Sequence, residues 1–102
     1  MQIQTAIFQT PNGPVEAIKL QWTGCSILLA AGTKGVLACP LLDLTACQQF
    51  GAAAALVESS PDNPIGTLER FAERKLTAVN ENTRKLGLRE QMPAKDAFAL
   101  IA

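Results

Sequence analysis

Cysteine supplies the strongest candidate chemistry in this sequence: thiols stand at positions 25, 39 and 47, and none of the 102 residues is histidine. A thiolate is a nucleophile, and backbone N–H groups at a strand-to-helix junction can stabilise it. Cys39 has that setting, at the end of a predicted strand just before a predicted helix. Without histidine a Cys–His pair is impossible, so any base would be Asp43, Lys34 or Glu58, with Asp43 the nearest in sequence. The plainer reading makes Cys39 a small buried hydrophobe, since free cysteine is among the most buried residue types. Cys25, at a strand start, and Cys47, inside an apolar helix, are weaker candidates. The spacings of 14 and 8 between the thiols match no familiar metal-ligand pattern. No metal and no cofactor is expected.

Other residues admit chemistry less readily. Gly32-Thr33-Lys34-Gly35 resembles an anion cradle but lacks the spacing of a phosphate loop and opens no helix, so a hairpin is the simpler reading. Asp62, Glu69, Glu73 and Glu81 suggest paired carboxylates, yet Arg70 and Arg74 among them indicate a solvated helix face. Trp22 is read as core or as a pocket wall. Phe98, Leu100 and Ile101 are read as packing on a sheet, or as a partner anchor.

The elements that must position these residues follow from pattern. Residues 2–10 end in Pro11-Asn12-Gly13-Pro14, a turn signal. Residues 15–22 alternate as a half-buried strand, residues 25–31 are apolar almost throughout, and residues 36–42 follow the Gly32–Gly35 hairpin. Short connections predict antiparallel neighbours. Pro40 lacks a backbone donor, so the fourth strand is either at an edge there or already finished. Asp43 is a good N-cap for a helix from Leu44 to about residue 57, with Leu42 and Cys47 as its hydrophobic staple. Residues 59–64 read as a loop. From Thr67 to Leu86 the spacing favours a helix. The alternative is a short strand in KLTAV, with Asn80 capping a separate helix that ends at Gly87. Met92-Pro93 opens a last helix. The expected fold is a single α+β domain over residues 1–102, an antiparallel meander of about four strands with helices packed on one face.

Charge is unevenly placed. Only Glu16, Lys19, Lys34 and Asp43 are charged in the first 57 residues, while the other 45 carry fourteen charges. Charged residues make up 18%, against about 25% in a typical domain. The deficit predicts apolar surface covered by another copy of the chain. The expected interface is Leu44, Cys47, Phe50, Ala53, Ala54 and Val57 together with nearby strands, which could also line a pocket for a small apolar ligand. Net charge is zero and no basic stripe exists, so nucleic acid is not an expected partner. No apolar run reaches the ~18 residues of a membrane span, and residues 1–10 do not read as a signal peptide. With the odd number of cysteines, this predicts a soluble cytoplasmic protein.

The stretch VLACPLLDLTACQQFGAAAALVE, followed by TLERFAERKLTAVNENTRKLGL and MPAKDAFALI, resembles the YunC-like family, a domain of unknown function. The likeness spans roughly residues 25–101. It places the family's usual cysteine at Cys39, its helix glycine at Gly51 and its closing turn and helix at Met92, Asp96, Ala97 and Phe98. Pro40 replaces a usual glycine, and Glu58-Ser59-Ser60-Pro61 replaces a Gly-Val-type turn. The resemblance implies a compact oligomeric fold and brings no established activity. The leading expectation is a homo-oligomeric module without catalysis; the alternative is a thiol-dependent enzyme or redox-responsive protein centred on Cys39.

Overall fold

Turn chemistry and strand alternation set the first half of the chain. A computed structural model describes all 102 residues. It places β1 at Gln2–Thr10, β2 at Gly13–Trp22, β3 at Cys25–Ala31 and β4 at Val36–Ala38, each antiparallel to the one before. β4 ends before Pro40, which therefore lies outside the ladder. To this point the chain is the expected meander.

The sheet then continues, and the expectation of about four strands is corrected to six. The predicted long helix stops early: α1 covers only Leu44–Gln49, and Ala54–Val57 forms β5. Asp43 caps α1 as expected, its Oδ1 accepting from the N–H groups of Thr45 (2.9 Å) and Ala46 (3.2 Å). Gly51, at φ +75°, turns the chain out of the helix, a conformation that costs glycine little. Alanine is the best intrinsic helix former, but propensity is a weak prior against tertiary context. Here the small side chains of Ala54 and Ala55 are buried in the sheet, where β5 pairs parallel to β4. The fifteen residues between these strands are long enough for the crossover that parallel pairing needs.

The region from Thr67 to Leu86 likewise divides, as its alternative reading has it. α2 spans Leu68–Glu73, β6 spans Leu76–Val79 antiparallel to β5, and α3 spans Glu81–Leu86. Thr67 caps α2 through Oγ1 to the Arg70 N–H (3.2 Å), and Asn80 caps α3. The last helix, α4, covers Ala94–Ile101, with Pro93 as its N-cap. The sheet order is β1-β2-β3-β4-β5-β6, mostly antiparallel, in a mixed domain with four helices. No helix is long and apolar enough to cross a membrane.

Register divides the sheet into two faces. Phe8 and Val15 pair on the inner one, as do Ala6, Ala17, Ala30, Leu37 and Ala55 in a row across five strands. The core forms there against α2 and α4. Phe98 of α4 stacks on Phe8 at 4.7 Å between ring centroids and on Phe71 of α2 at 6.2 Å. The opposite face of β1–β3 carries the rows Ile3–Leu20–Ile27, Thr5–Ile18–Leu29 and Ile7–Glu16–Ala31. Glu16 is its only charge.

Candidate functional site

Cys39 follows directly from β4, and Ser59 and Ser60 follow closely on β5, so the carboxyl ends of two parallel strands bring them to one place. They share a crevice of about 280 Å³ with Cys25, Pro40 and Ile65. Crevices at the carboxyl ends of parallel strands are common ligand positions in α/β sheets. The loop behind this one is tightly held. The Arg74 guanidinium donates to the carbonyls of Asn63 and Pro64 (both 2.9 Å) and to Asn63 Oδ1 (3.1 Å). Ser59 Oγ accepts from the Ile65 N–H (3.1 Å), and Lys19 Nζ donates to the Gly66 carbonyl (2.6 Å). No charged side chain lines the crevice. Its thiols, hydroxyls, prolines and aliphatic groups suit a small, neutral, largely apolar molecule.

The predicted catalytic pair is poorly arranged for catalysis. Cys39 is only 6% exposed and belongs to the hydrophobic core. The Asp43 carboxylate is engaged with two backbone N–H groups of α1 and does not line the crevice. Cys25 is exposed, Cys47 is half-buried, and all three thiols are free. No three Cys, Asp or Glu side chains come together as metal ligands. The Gly32–Gly35 loop is a hairpin tied to the end of α4: Lys34 N–H donates to the Ile101 carbonyl (2.9 Å), and Thr33 Oγ1 to that of Ala102 (2.7 Å). A Cβ on Gly32 would collide with the Ile101 carbonyl, so this close approach requires glycine.

The predicted interface residues separate into two groups. Ala54 and Val57 are fully buried within the single chain, and this corrects their assignment. They are strand residues between β4 and β6, so their side chains are not available to a partner. Leu44, Cys47 and Ala53 are half-buried, and Phe50 is 88% exposed. The larger apolar surface lies on the outer face of β1–β3. Ile3 is 63% exposed and Ile7 61%, Trp22 is exposed, and Ile18, Leu20 and Leu29 are half-buried. Thr5, Ile7, Glu16, Ile18, Leu29 and Ala31 frame a depression of about 370 Å³ on that face. Sequence reasoning missed this surface, although the charge deficit and the Ile18–Leu20–Trp22 alternation both signalled it. It also missed the part played by Ser59, Ser60 and Ile65, for which loop composition carried no signal.

No family model and no curated protein matches the chain. Among solved structures, the chain is similar to the crystal structure of a protein of unknown function from Thermoplasma acidophilum. The TM-score is 0.85 at 16% sequence identity, over 99% of this chain and 94% of that one. The fold, end to end, is therefore one that a second and distantly similar sequence also adopts.

Proposed function

We propose that the protein is a small homo-oligomeric module without catalysis, which uses the outer face of β1–β3 to bind another copy of itself. The observation that carries this reading is the composition of that face: seven large apolar residues, from Ile3 to Leu29, beside the single charge of Glu16. Contiguous exposed apolar surface of this kind marks interaction sites in soluble proteins. Withdrawing one such side chain fully from water contributes about 1.5–3 kcal/mol, so a few of them offset the cost of association. The neutral crevice at Cys39 would then take a small apolar ligand. Likeness to the YunC-like family is part of the proposal and rests on the pattern around Cys39, Gly51 and Met92. A reducing cytoplasmic setting is also part of it, and three unpaired thiols favour it.

Sedimentation velocity at micromolar concentration tests the reading. The protein is expected to sediment as an oligomer, and Leu20→Glu, which places a charge in the middle of the outer face, is expected to shift it to a smaller species. A stable monomer in the parent protein would sink the proposal.

A second reading, a thiol-dependent enzyme or redox-responsive protein centred on Cys39, draws on the crevice that Cys39 and Cys25 both line. Alkylation separates the two. For the module, iodoacetamide is expected to modify Cys25 first and Cys47 more slowly. Cys39 should then react at least about a hundredfold more slowly than Cys25, accelerating only in denaturant, because its thiol is packed in the core. Cys39 reacting faster than Cys25 in the native protein would favour the thiol reading instead.

A further inference from the structure

The two edges of the sheet are treated differently. At the β6 edge, the 91–94 segment covers the strand: Leu76 N–H donates to the Met92 carbonyl (2.8 Å), Gln91 N–H to the Leu76 carbonyl (2.7 Å) and Ala94 N–H to the Arg74 carbonyl (2.7 Å). At the other edge, β1 runs for nine residues with no such cover. Natural edge strands are protected by charges, proline, bulges or brevity. β1 has none of these: QIQTAIFQT contains no charge and no proline, and its pairing with β2 is unbroken.

The groups left open along β1 can be assigned. Pro14 has no N–H, so the pair Gln9–Pro14 cannot exchange both ladder bonds. The hydrogen-bonded pairs with β2 are therefore Thr10–Gly13, Phe8–Val15, Ala6–Ala17, Gln4–Lys19 and Gln2–Gln21. Ile3, Thr5, Ile7 and Gln9 turn their N–H and C=O groups outward, while their side chains lie on the bare apolar face.

We infer that β1 pairs with the β1 of a second copy, antiparallel about a twofold axis at Thr5. This register uses almost the whole strand. It sets Thr5 opposite Thr5 and Ile3 opposite Ile7, with all of the outward backbone groups between residues 3 and 7 bonded. Threonine pairs and aliphatic pairs are favourable cross-strand neighbours. An identical strand is the occupant that fits, because an uncharged edge offers no ionic feature to select a foreign one, and a twofold axis matches each outward donor with an acceptor. The pairing would join two six-stranded sheets into one of twelve and continue the outer apolar face across the junction. The inference rests on the self-association reading but uses a different surface.

Thr5→Pro tests it. The Thr5 N–H is not bonded to β2, so proline there removes only an outward donor and is tolerated at an edge. Sedimentation velocity is expected to show an assembly of half the parent mass with an unchanged circular dichroism spectrum, and Thr5→Pro combined with Leu20→Glu is expected to give single chains. A Thr5→Pro protein that keeps the parent mass overturns the edge pairing and leaves self-association standing; a monomeric parent overturns both. Cross-linking decides the matter even where the proline variant does not fold. In a Cys25→Ser background, Thr5→Cys is expected to form a disulfide-linked dimer on mild oxidation. Gln9→Cys is not, because its two copies would lie roughly 26 Å apart at about 3.3 Å per residue. Absence of the Thr5→Cys dimer overturns the inference.

Discussion

Asn80→Ala is expected to lower the melting temperature by roughly 15–30 °C, the effect of losing about 4 kcal/mol from a domain of this size. Asn80 closes several backbone groups at once. Its Oδ1 accepts from the N–H groups of Ala54 (3.2 Å) and Thr83 (3.0 Å), and its Nδ2 donates to the Ala52 carbonyl (2.7 Å). Thr83, also buried, adds Oγ1 contacts to the Ala54 carbonyl and to Asn80, both at 3.0 Å. One side chain thus caps α3 and holds the entry of β5 beside the end of β6. Alanine would leave two donors and one acceptor without partners, each costing about 1–3 kcal/mol where it stays buried. Asn80→Asp keeps the acceptor but loses the donor to Ala52, and is expected to fall between the parent and alanine. Thermal denaturation followed by circular dichroism measures all three proteins. A loss below about 1 kcal/mol for Asn80→Ala would mean that water reaches these groups and that the network is not what holds β5 in place.

Phe98→Ala should be comparably damaging, at about 3–5 kcal/mol. Phe98 sits between Phe8 and Phe71 and is 3% exposed, so it couples α4 to β1 and to α2. Truncation removes two aromatic stacks and leaves a cavity that surrounding backbone cannot readily fill. Phe98→Leu keeps most of the volume and should recover more than half of the loss. Urea denaturation gives the comparison, with an unchanged denaturant slope indicating that only stability has moved. If leucine and alanine were equally destabilising, the ring contacts rather than the filled volume would account for the effect, and the cavity argument would be wrong.

Local rules made some elements legible. The Pro11-Asn12 turn and the alternation that follows it give β1 and β2 nearly to the residue, because turn geometry and side-chain period depend on neighbours in sequence. Asp43 was recognisable as a cap for the same reason. Residues 52–57 were not legible. Read locally, an alanine-rich run without charge is helix; in the fold its Ala54–Val57 part is a strand, because Val36–Ala38 on one side and Leu76–Val79 on the other offer ladder partners distant in sequence. KLTAV suits either period, and only pairing with β5 decides it.

The candidate site shows the same division. Cys39 at a strand end could be identified from its neighbours, but its burial and the engagement of Asp43 as a helix cap depend on how the pieces pack. By itself the amino-acid order determined that this is a chain with too few charges for its apolar content, with a strand-rich first half and a thiol at a junction. Tertiary structure alone decided where the surplus apolar surface lies. Periodicity says which side chains share a face, since that is a property of one strand, whereas what covers a face depends on the layers packed against it. Here α2 and α4 cover the inner side of the sheet, and no layer of the same chain covers Ile3, Ile7 and Trp22 on the outer side.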